Sequence, residues 1–191
     1  MALHTSRLGL REFRESDAAA LARCEANPEI VRYAPHSVRT LVDGLDHIRA
    51  LLEDAGASQR KIFDFAVVQR ECTRLIGRCG LKLSDAEPTE ATLWYVLARS
   101  AWGQGFATEA AQAVLAFGFE ELRLHRVFVD IDPRNQSSLR VAEKLGLRRE
   151  GHFRETTWEN GQWRDSVVYA LLDREYRARS LKVPMRASQR G

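Results

Sequence analysis

A chain of 191 residues, 45% hydrophobic and 29% charged, is long enough to bury the core of one domain, and that balance excludes the disordered and fibrous classes. Its formal charge of +3 is too small for a nucleic-acid binder and suits an anionic small molecule or an acidic partner patch. Cys24, Cys72 and Cys79 form no Cys-x-x-Cys pair and stand near no His at ligand spacing, which argues against a disulfide framework or a metal site and for a reducing compartment. No run approaches the ~18 apolar residues of a membrane span, and MALHTSRLGL lacks the apolar core of a signal peptide, so a cytoplasmic location without a membrane partner is expected.

Leu8, Leu10 and Phe13 alternate loosely with Arg7, Arg11, Glu12 and Arg14, the pattern of a first strand with one polar face. Ser16 and Asp17 are placed to cap a helix from Ala18 to Ala26, and Asn27-Pro28 ends it because a residue before proline is pushed out of helical backbone. Val38, Leu41, Val42, Leu45, Ile48 and Leu52 keep helical spacing, predicting a second amphipathic helix that runs to about Ala55. Between these helices, in IVRYAPHS, Tyr33 and His36 are candidate substrate-binding residues. The plain alternative is a loop that packs an aromatic on the core, and His36 has no visible partner that would make it a base.

Phe63 to Val68 and Leu75 to Leu83 read as a hairpin around a turn at Glu71 to Arg74. Thr92 to Ala98, nearly all apolar or aromatic, reads as a central strand buried on both faces. It leads into WGQGFATEA, where Gly103 and Gly105 let the backbone turn sharply and approach a ligand, and small Ala107 extends the bare surface. The following segment, Thr108 to Leu122, is rich in Ala, Leu, Phe and Glu without proline, so a helix is expected. A strand, a glycine turn and a helix start aim unpaired amides and the positive end of a helix dipole at one spot, which should attract a phosphate. Glycine turns that merely connect elements are the competing reading.

Arg126 to Asp132 is a further strand and completes a βαβ unit. In PRNQSSLRVAEKLG, Asn135 and the two serines can cap a helix, Leu139, Ala142 and Leu145 fall on one face, and Gly146 suits the left-handed residue that ends it. Gly151 to Glu159 and Arg164 to Leu172 read as strands joined by an Asn160-Gly161 turn. From Asp173 onward the chain is basic and loses periodicity beyond about Leu181, which predicts a frayed tail; recruitment of an acidic partner is the sharper alternative. With no repeat or linker, one α+β domain around a mixed central sheet fits the whole length, its core at about 7–176 and its tail at 177–191.

In their order, these segments resemble the GNAT superfamily of acetyl-CoA-dependent N-acetyltransferases, in its ribosomal-protein-alanine N-acetyltransferase branch. LGLREFRESDAAAL is similar to that branch's first strand and helix, and LWYVLARSAWGQGFATEA to its cofactor strand and pyrophosphate loop. NQSSLRVAEKLGLRREG resembles its last cofactor-contacting helix, and ENGQWRDSVVYALLDREY its terminal hairpin. The resemblance implies a mostly antiparallel twisted sheet with a splayed parallel strand pair and about four helices. It also implies that main-chain groups of Tyr95, Val96 and Leu97 pair with the pantetheine arm. The amides of Gly103, Gln104, Gly105, Phe106, Ala107 and Thr108 would hold the pyrophosphate, and Asn135 and Ser138 would stand near the thioester. No metal is implied.

The chain departs from the family pattern in three places. The loop pattern opens on Gln or Arg, then two residues, Gly, one residue and Gly or Ala; Trp102, Gly105 and Ala107 take those places, so Trp102 is expected to pack. The tyrosine that many relatives carry seven residues after the Asn is Ala142, which leaves Ser138, or a water it orients, as the candidate acid. A strand glutamate is replaced by Thr92, which leaves Glu90 as the candidate base beside its ordinary reading as an exposed loop carboxylate. The implied reaction is direct transfer of acetyl from acetyl-CoA to a primary amine in a ternary complex, with a protein N-terminal α-amine as acceptor. A small-molecule amine such as an antibiotic, polyamine or amino acid is the alternative, and a non-catalytic acyl-CoA sensor is a third reading. The acceptor pocket would be lined by Tyr33 to Ser37, the second helix and the terminal hairpin with Trp158 and Trp163; a homodimer is left open.

Overall fold

A computed structural model describes residues 1–33, 40–159 and 161–180. Strands β1 (Ala2–His4) and β2 (Leu8–Glu12) precede three helices, α1 (Ala18–Glu25), α2 (Pro28–Val31) and α3 (Leu41–Gly56). Next come β3 (Ile62–Gln69), β4 (Arg74–Leu83) and β5 (Glu90–Leu97), then α4 (Phe106–Glu120), β6 (Arg126–Ile131) and α5 (Gln136–Lys144). The chain closes with β7 (Arg148–Glu159), β8 (Gln162–Leu172) and α6 (Asp173–Ser180).

The strands form one sheet in the order β1-β2-β3-β4-β5-β6-β8-β7, antiparallel throughout except for β5 with β6. That parallel pair is short: Glu90 faces Arg126, Ala91 faces Val127, Thr92 faces Phe128, and the register stops there. One sheet face packs Leu10, Phe65, Leu81 and Leu93 against Ala110, Ala111, Val114 and Phe117 of α4. Small alanines bring that helix close, and Phe117 meets Phe63 and Phe65 with ring centroids 5.3 and 5.6 Å apart. The opposite face is covered over β3 and β4 by α1 and α3 through Leu21, Cys24, Ile48 and Leu51. Each fully buried Leu or Phe contributes about 1.5–3 kcal/mol, so the two layers fix the strands that frame the cleft described below.

Five details differ from, or add to, what the sequence predicts. Asp17 does not cap α1 onward; its carboxylate accepts from the Arg14 amide at 2.8 Å and from both Arg11 Nη atoms at 2.7 and 2.9 Å, locking β2 to the turn ahead of the helix. The described residues hold six α-helices rather than about four. Asn27-Pro28 starts α2 as well as ending α1, since the Asn27 side chain accepts from the Glu29 amide and a first-turn proline costs no hydrogen bond. α6 lacks apolar periodicity, but its acidic first turn and basic last turn complement the helix dipole, and Arg177 reaches Asp173 at 2.9 Å. Finally, β5 is not buried on both faces: Ala91, Leu93 and Leu97 are buried, whereas Trp94, Tyr95 and Val96 are half-buried because β6 has parted from them. His36, Asn160 and the tail beyond 180 lie outside the described residues. Among the described residues, no helix is long and apolar enough to cross a membrane, and no cluster of three metal-ligating side chains occurs.

Candidate active site

Beyond Thr92 and Phe128, β5 keeps β4 on one side, with Tyr95 opposite Cys79, Val96 opposite Arg78 and Leu97 opposite Gly77, and among the described residues has no strand partner on the other. A bare strand edge of this kind offers alternating amides and carbonyls to an extended ligand. At the far end Trp102 folds back, and its indole Nε1 donates to the Leu97 carbonyl at 2.7 Å while the Arg99 guanidinium lies 4.8 Å above its ring. That bond ties the loop to the strand that feeds it, while the Trp102 side chain stays exposed on the lining of the cleft rather than packing in the core as expected.

The loop itself is a donor nest. Gly103 and Gly105 have φ of +75° and +81°, left-handed values that an L side chain adopts only with strain, and Gly105 is the N-cap of α4. Its carbonyl accepts from the Glu109 amide at 3.0 Å. Among the described residues the amides from Gly103 to Thr108 donate to no protein acceptor. Unpaired amides at a helix N-terminus are the donor set a diphosphate requires, so these residues fit the group the loop is expected to hold.

The loop is held from the N-terminal hairpin. The Glu109 carboxylate in the first turn of α4 accepts from Thr5 Oγ1 at 2.6 Å, Ser6 Oγ at 3.2 Å, the Arg7 amide at 3.0 Å and Arg7 Nε at 2.7 Å. Arg7 also donates to the Gln104 carbonyl at 3.0 Å and lies 4.4 Å above the Phe106 ring. Burial would raise the Glu109 carboxyl, but the bonds from Thr5 and Arg7 outweigh it and hold the group below the usual carboxylate range. Neutralised in this way, a carboxylate can stand beside a phosphate site. Sequence reasoning missed this clamp because its halves are about a hundred positions apart.

The opposite wall is α5. The Asn135 side-chain oxygen accepts from the Ser138 amide at 3.1 Å and from Ser137 Oγ at 2.8 Å, so it caps the helix. Tyr95 reaches across the gap and donates to the Ser138 carbonyl at 3.2 Å; burial pushes its phenol up to about 12, so it stays protonated. Ala142, at the position where the family resemblance implies a tyrosine, is fully buried. Together these parts enclose a cleft of about 490 Å³ that gathers Tyr33, Tyr95, Val96, Leu97, Gly103, Gly105, Phe106, Ala107, Thr108, Asn135 and Ser138. Arg140 and Lys144, four residues apart on α5, add cations to its rim; their helical spacing after Asn-x-x-Ser was the available signal.

Two candidate residues are not brought into the cleft. Gln104 contributes its backbone to the loop, but its side chain turns back to the Ser100 carbonyl at 2.8 Å. Glu90 sits at the paired end of β5, bound to Arg126 Nη1 at 2.5 Å. Five residues at ~3.3 Å each put it roughly 16 Å from Tyr95. An exposed-loop base is replaced there by an ion pair that staples the parallel strands.

Comparison with known proteins agrees with this geometry. The family model described as "Acetyltransferase (GNAT) domain" matches residues 7–148. An "uncharacterized N-acetyltransferase p20" of Bacillus licheniformis is 32% identical over 177 residues, covering 91% of this chain and 97% of its own. A GNAT-family acetyltransferase from Bacillus anthracis superposes with a TM-score of 0.82 at 30% identity, over 92% of this chain and 100% of that one. At lower identity the same fold appears in a ribosomal L7/L12 alpha-N-protein acetyltransferase in complex with coenzyme A (19%, TM-score 0.79, covering 90% and 98%). It appears as well in the spermidine N-acetyltransferase from Vibrio cholerae with coenzyme A and spermine (22%, TM-score 0.78, covering 90% and 99%). With a parted strand pair, an amide nest at a helix start and a family match over most of its length, the chain belongs to the GNAT acetyltransferase family and is an acetyl-CoA-dependent N-acetyltransferase.

Proposed function

We propose that the acceptor is the α-amine at a protein N-terminus and that transfer proceeds by direct attack in a ternary complex. The observation that supports this reading is a cleft rich in donors and poor in bases. Among the described residues its lining carries Gly103 and Gly105 to Thr108 of the amide nest, with Tyr95 and Ser138, while the carboxylate on that lining, Glu29, is paired with Arg99 at 3.1 Å. An N-terminal α-amine has a pKa of ~8 and is partly neutral near pH 7, so it needs far less help than a lysine amine at ~10.4. The low-identity fold neighbours include both a ribosomal-protein and a spermidine enzyme, so the fold accommodates either acceptor class.

Acetyl-CoA supplies the activated acyl group. The loop amides from Gly103 to Thr108 hold its diphosphate, and the bare β5 edge at Tyr95 to Leu97 aligns the pantetheine arm. Ser138, or a water it orients, delivers a proton to the departing sulfur in place of the missing tyrosine. Transfer binds both substrates at once and forms no acyl-enzyme: Cys24 and Cys79 are buried and burial pushes both thiols up, and exposed Cys72 lies in the turn between β3 and β4, off the lining of the cleft. Thiol release from acetyl-CoA should be followed across peptides with free N-termini, the same peptides N-terminally blocked, and small amines. Release with free peptides alone supports the proposal; release with small amines alone overturns it, and binding of coenzyme A without release for any acceptor favours a sensor.

A further inference from the structure

The parted strands leave open which group receives the acceptor's charge. Side chains alternate along β6, so Arg126, Phe128 and Asp130 share the face of the sheet opposite α4, and Val127, Val129 and Ile131 pack toward that helix. Thr92, in register with Phe128, shares the Arg126 face, as does Trp94 two residues on. Asp130 therefore stands two residues past the last paired position, at the level of Trp94, on the rim where the strands separate. It is exposed, and Ser166 of β8 donates to its Oδ1 at 2.5 Å.

Other carboxylates around the gap already hold cations. Asp132 binds Arg134 at 2.6 Å with Arg164 at 3.8 Å, Glu29 binds Arg99, Glu90 binds Arg126, and Asp64 and Glu25 share buried Arg78. Asp165 is bonded to His152 at 2.7 Å. Among the described residues no cation pairs with Asp130. It thus combines three properties: a fixed rotamer, an open face and an unneutralised charge, beside the point where the strand edge becomes available.

Resting on the acetyl-transfer reading above, we infer that Asp130 receives the acceptor ammonium on the sheet face opposite α4 and takes its first proton, with Ser166 as a positioning residue. An acceptor R–NH3+ gives one proton to the Asp130 carboxylate, and the freed nitrogen lone pair forms the new N–C bond to the thioester carbonyl carbon. The C–S bond breaks, the second amine proton passes by way of Ser138 or its water to the sulfur, and Asp130 returns its proton to solvent. Amide and thiol are the products.

The test compares Asp130→Asn, Asp130→Glu and Ser166→Ala with the parent, using whichever amine the parent acetylates. Asp130→Asn is expected to lower kcat/KM for the amine by about 100-fold, the lower range for loss of a general base, while KM for acetyl-CoA stays within about twofold. The deficit should shrink as pH rises past about 8, where an α-amine is already neutral. A second readout needs no turnover: calorimetric binding of the amine to enzyme saturated with coenzyme A should weaken about tenfold in Asp130→Asn. Asp130→Glu should recover part of both, and Ser166→Ala should shift both less and in the same direction. Parental amine binding and kinetics in Asp130→Asn overturn the inference, and so does a deficit that is constant with pH and falls on acetyl-CoA. If the parent acetylates small amines but no peptide, the N-terminal reading fails while this comparison still decides the role of Asp130.

Discussion

Gly77 of β4 faces Leu97 at the bare end of β5. Its φ is +151°, and a methyl added there would lie 2.1 Å from the Val96 carbonyl oxygen and 2.7 Å from the Leu97 Cα, both backbone atoms that cannot swing aside. In Gly77→Ala the strand edge itself must move. Backbone strain of about 1–3 kcal/mol and overpacking of about 1–3 kcal/mol together suggest a loss near 3–4 kcal/mol. At about 2–4 °C per kcal/mol for a chain of this size, Tm should fall by about 6–16 °C. Movement of the edge also misaligns the pantetheine arm, and a misplacement near 1 Å can cost up to about 100-fold, so kcat/KM for acetyl-CoA should fall at least about tenfold in the protein that remains folded. Differential scanning calorimetry and steady-state kinetics at a temperature well below the variant's Tm measure both. A variant with parental Tm and parental kinetics would refute the claim that β4 and the functional edge of β5 are in tight contact at this position.

Breaking the clamp on the loop should affect the cofactor more than the acceptor: Glu109→Gln is expected to raise KM for acetyl-CoA several-fold at little change in the amine KM, measured by varying each substrate in turn. Ser138→Ala should lower kcat by about 100-fold if the hydroxyl or its water supplies the sulfur's proton, and an unchanged kcat would remove it from that role. Burial alone would raise the Asp64 carboxyl, but the Arg78 charge at 2.8 Å and the hydrogen bond from His47 outweigh it and hold the group below the ordinary aspartate range. A carboxyl depressed on folding stabilises the protein above its unfolded pKa of about 3.9 and loses that contribution as pH falls through the folded value, so Tm should decline below about pH 4. Removing the guanidinium in Arg78→Ala leaves Asp64 and Glu25 buried without it and should cost about 3–5 kcal/mol, read by urea unfolding at neutral pH.

The parts of the site that follow from neighbouring residues were legible in the sequence. Gly103 and Gly105 between an apolar strand and an alanine-rich helix announced an amide nest, and Asn135 with its serines announced the start of α5. Ala142 is buried, as its helical spacing with Leu139 and Leu145 implied, whereas Trp102, expected to pack, bonds to the Leu97 carbonyl and stays exposed. What was not legible depends on residues far apart in the chain meeting across strands. Glu90 looked like a loop base because its partner Arg126 is 36 residues away. The Arg7–Glu109 clamp and the Arg78 cluster are hidden for the same reason. β5 looked buried on both faces because its composition is that of a central strand, and only the short register with β6 shows where it becomes an edge. α6 escaped notice because its helical content rests on charge placement rather than on apolar spacing.

The central claim, that amides from Gly103 to Thr108 bind the cofactor diphosphate, is tested most directly by titrating uniformly 15N-labelled protein with coenzyme A and following backbone amide resonances. The account predicts saturable shifts concentrated at Gly103 to Thr108, moved downfield as the amides gain acceptors, with smaller changes at Tyr95 to Leu97 and at Ser138. Saturation of the protein with coenzyme A while the resonances of Gly103 to Thr108 stay in place would contradict it.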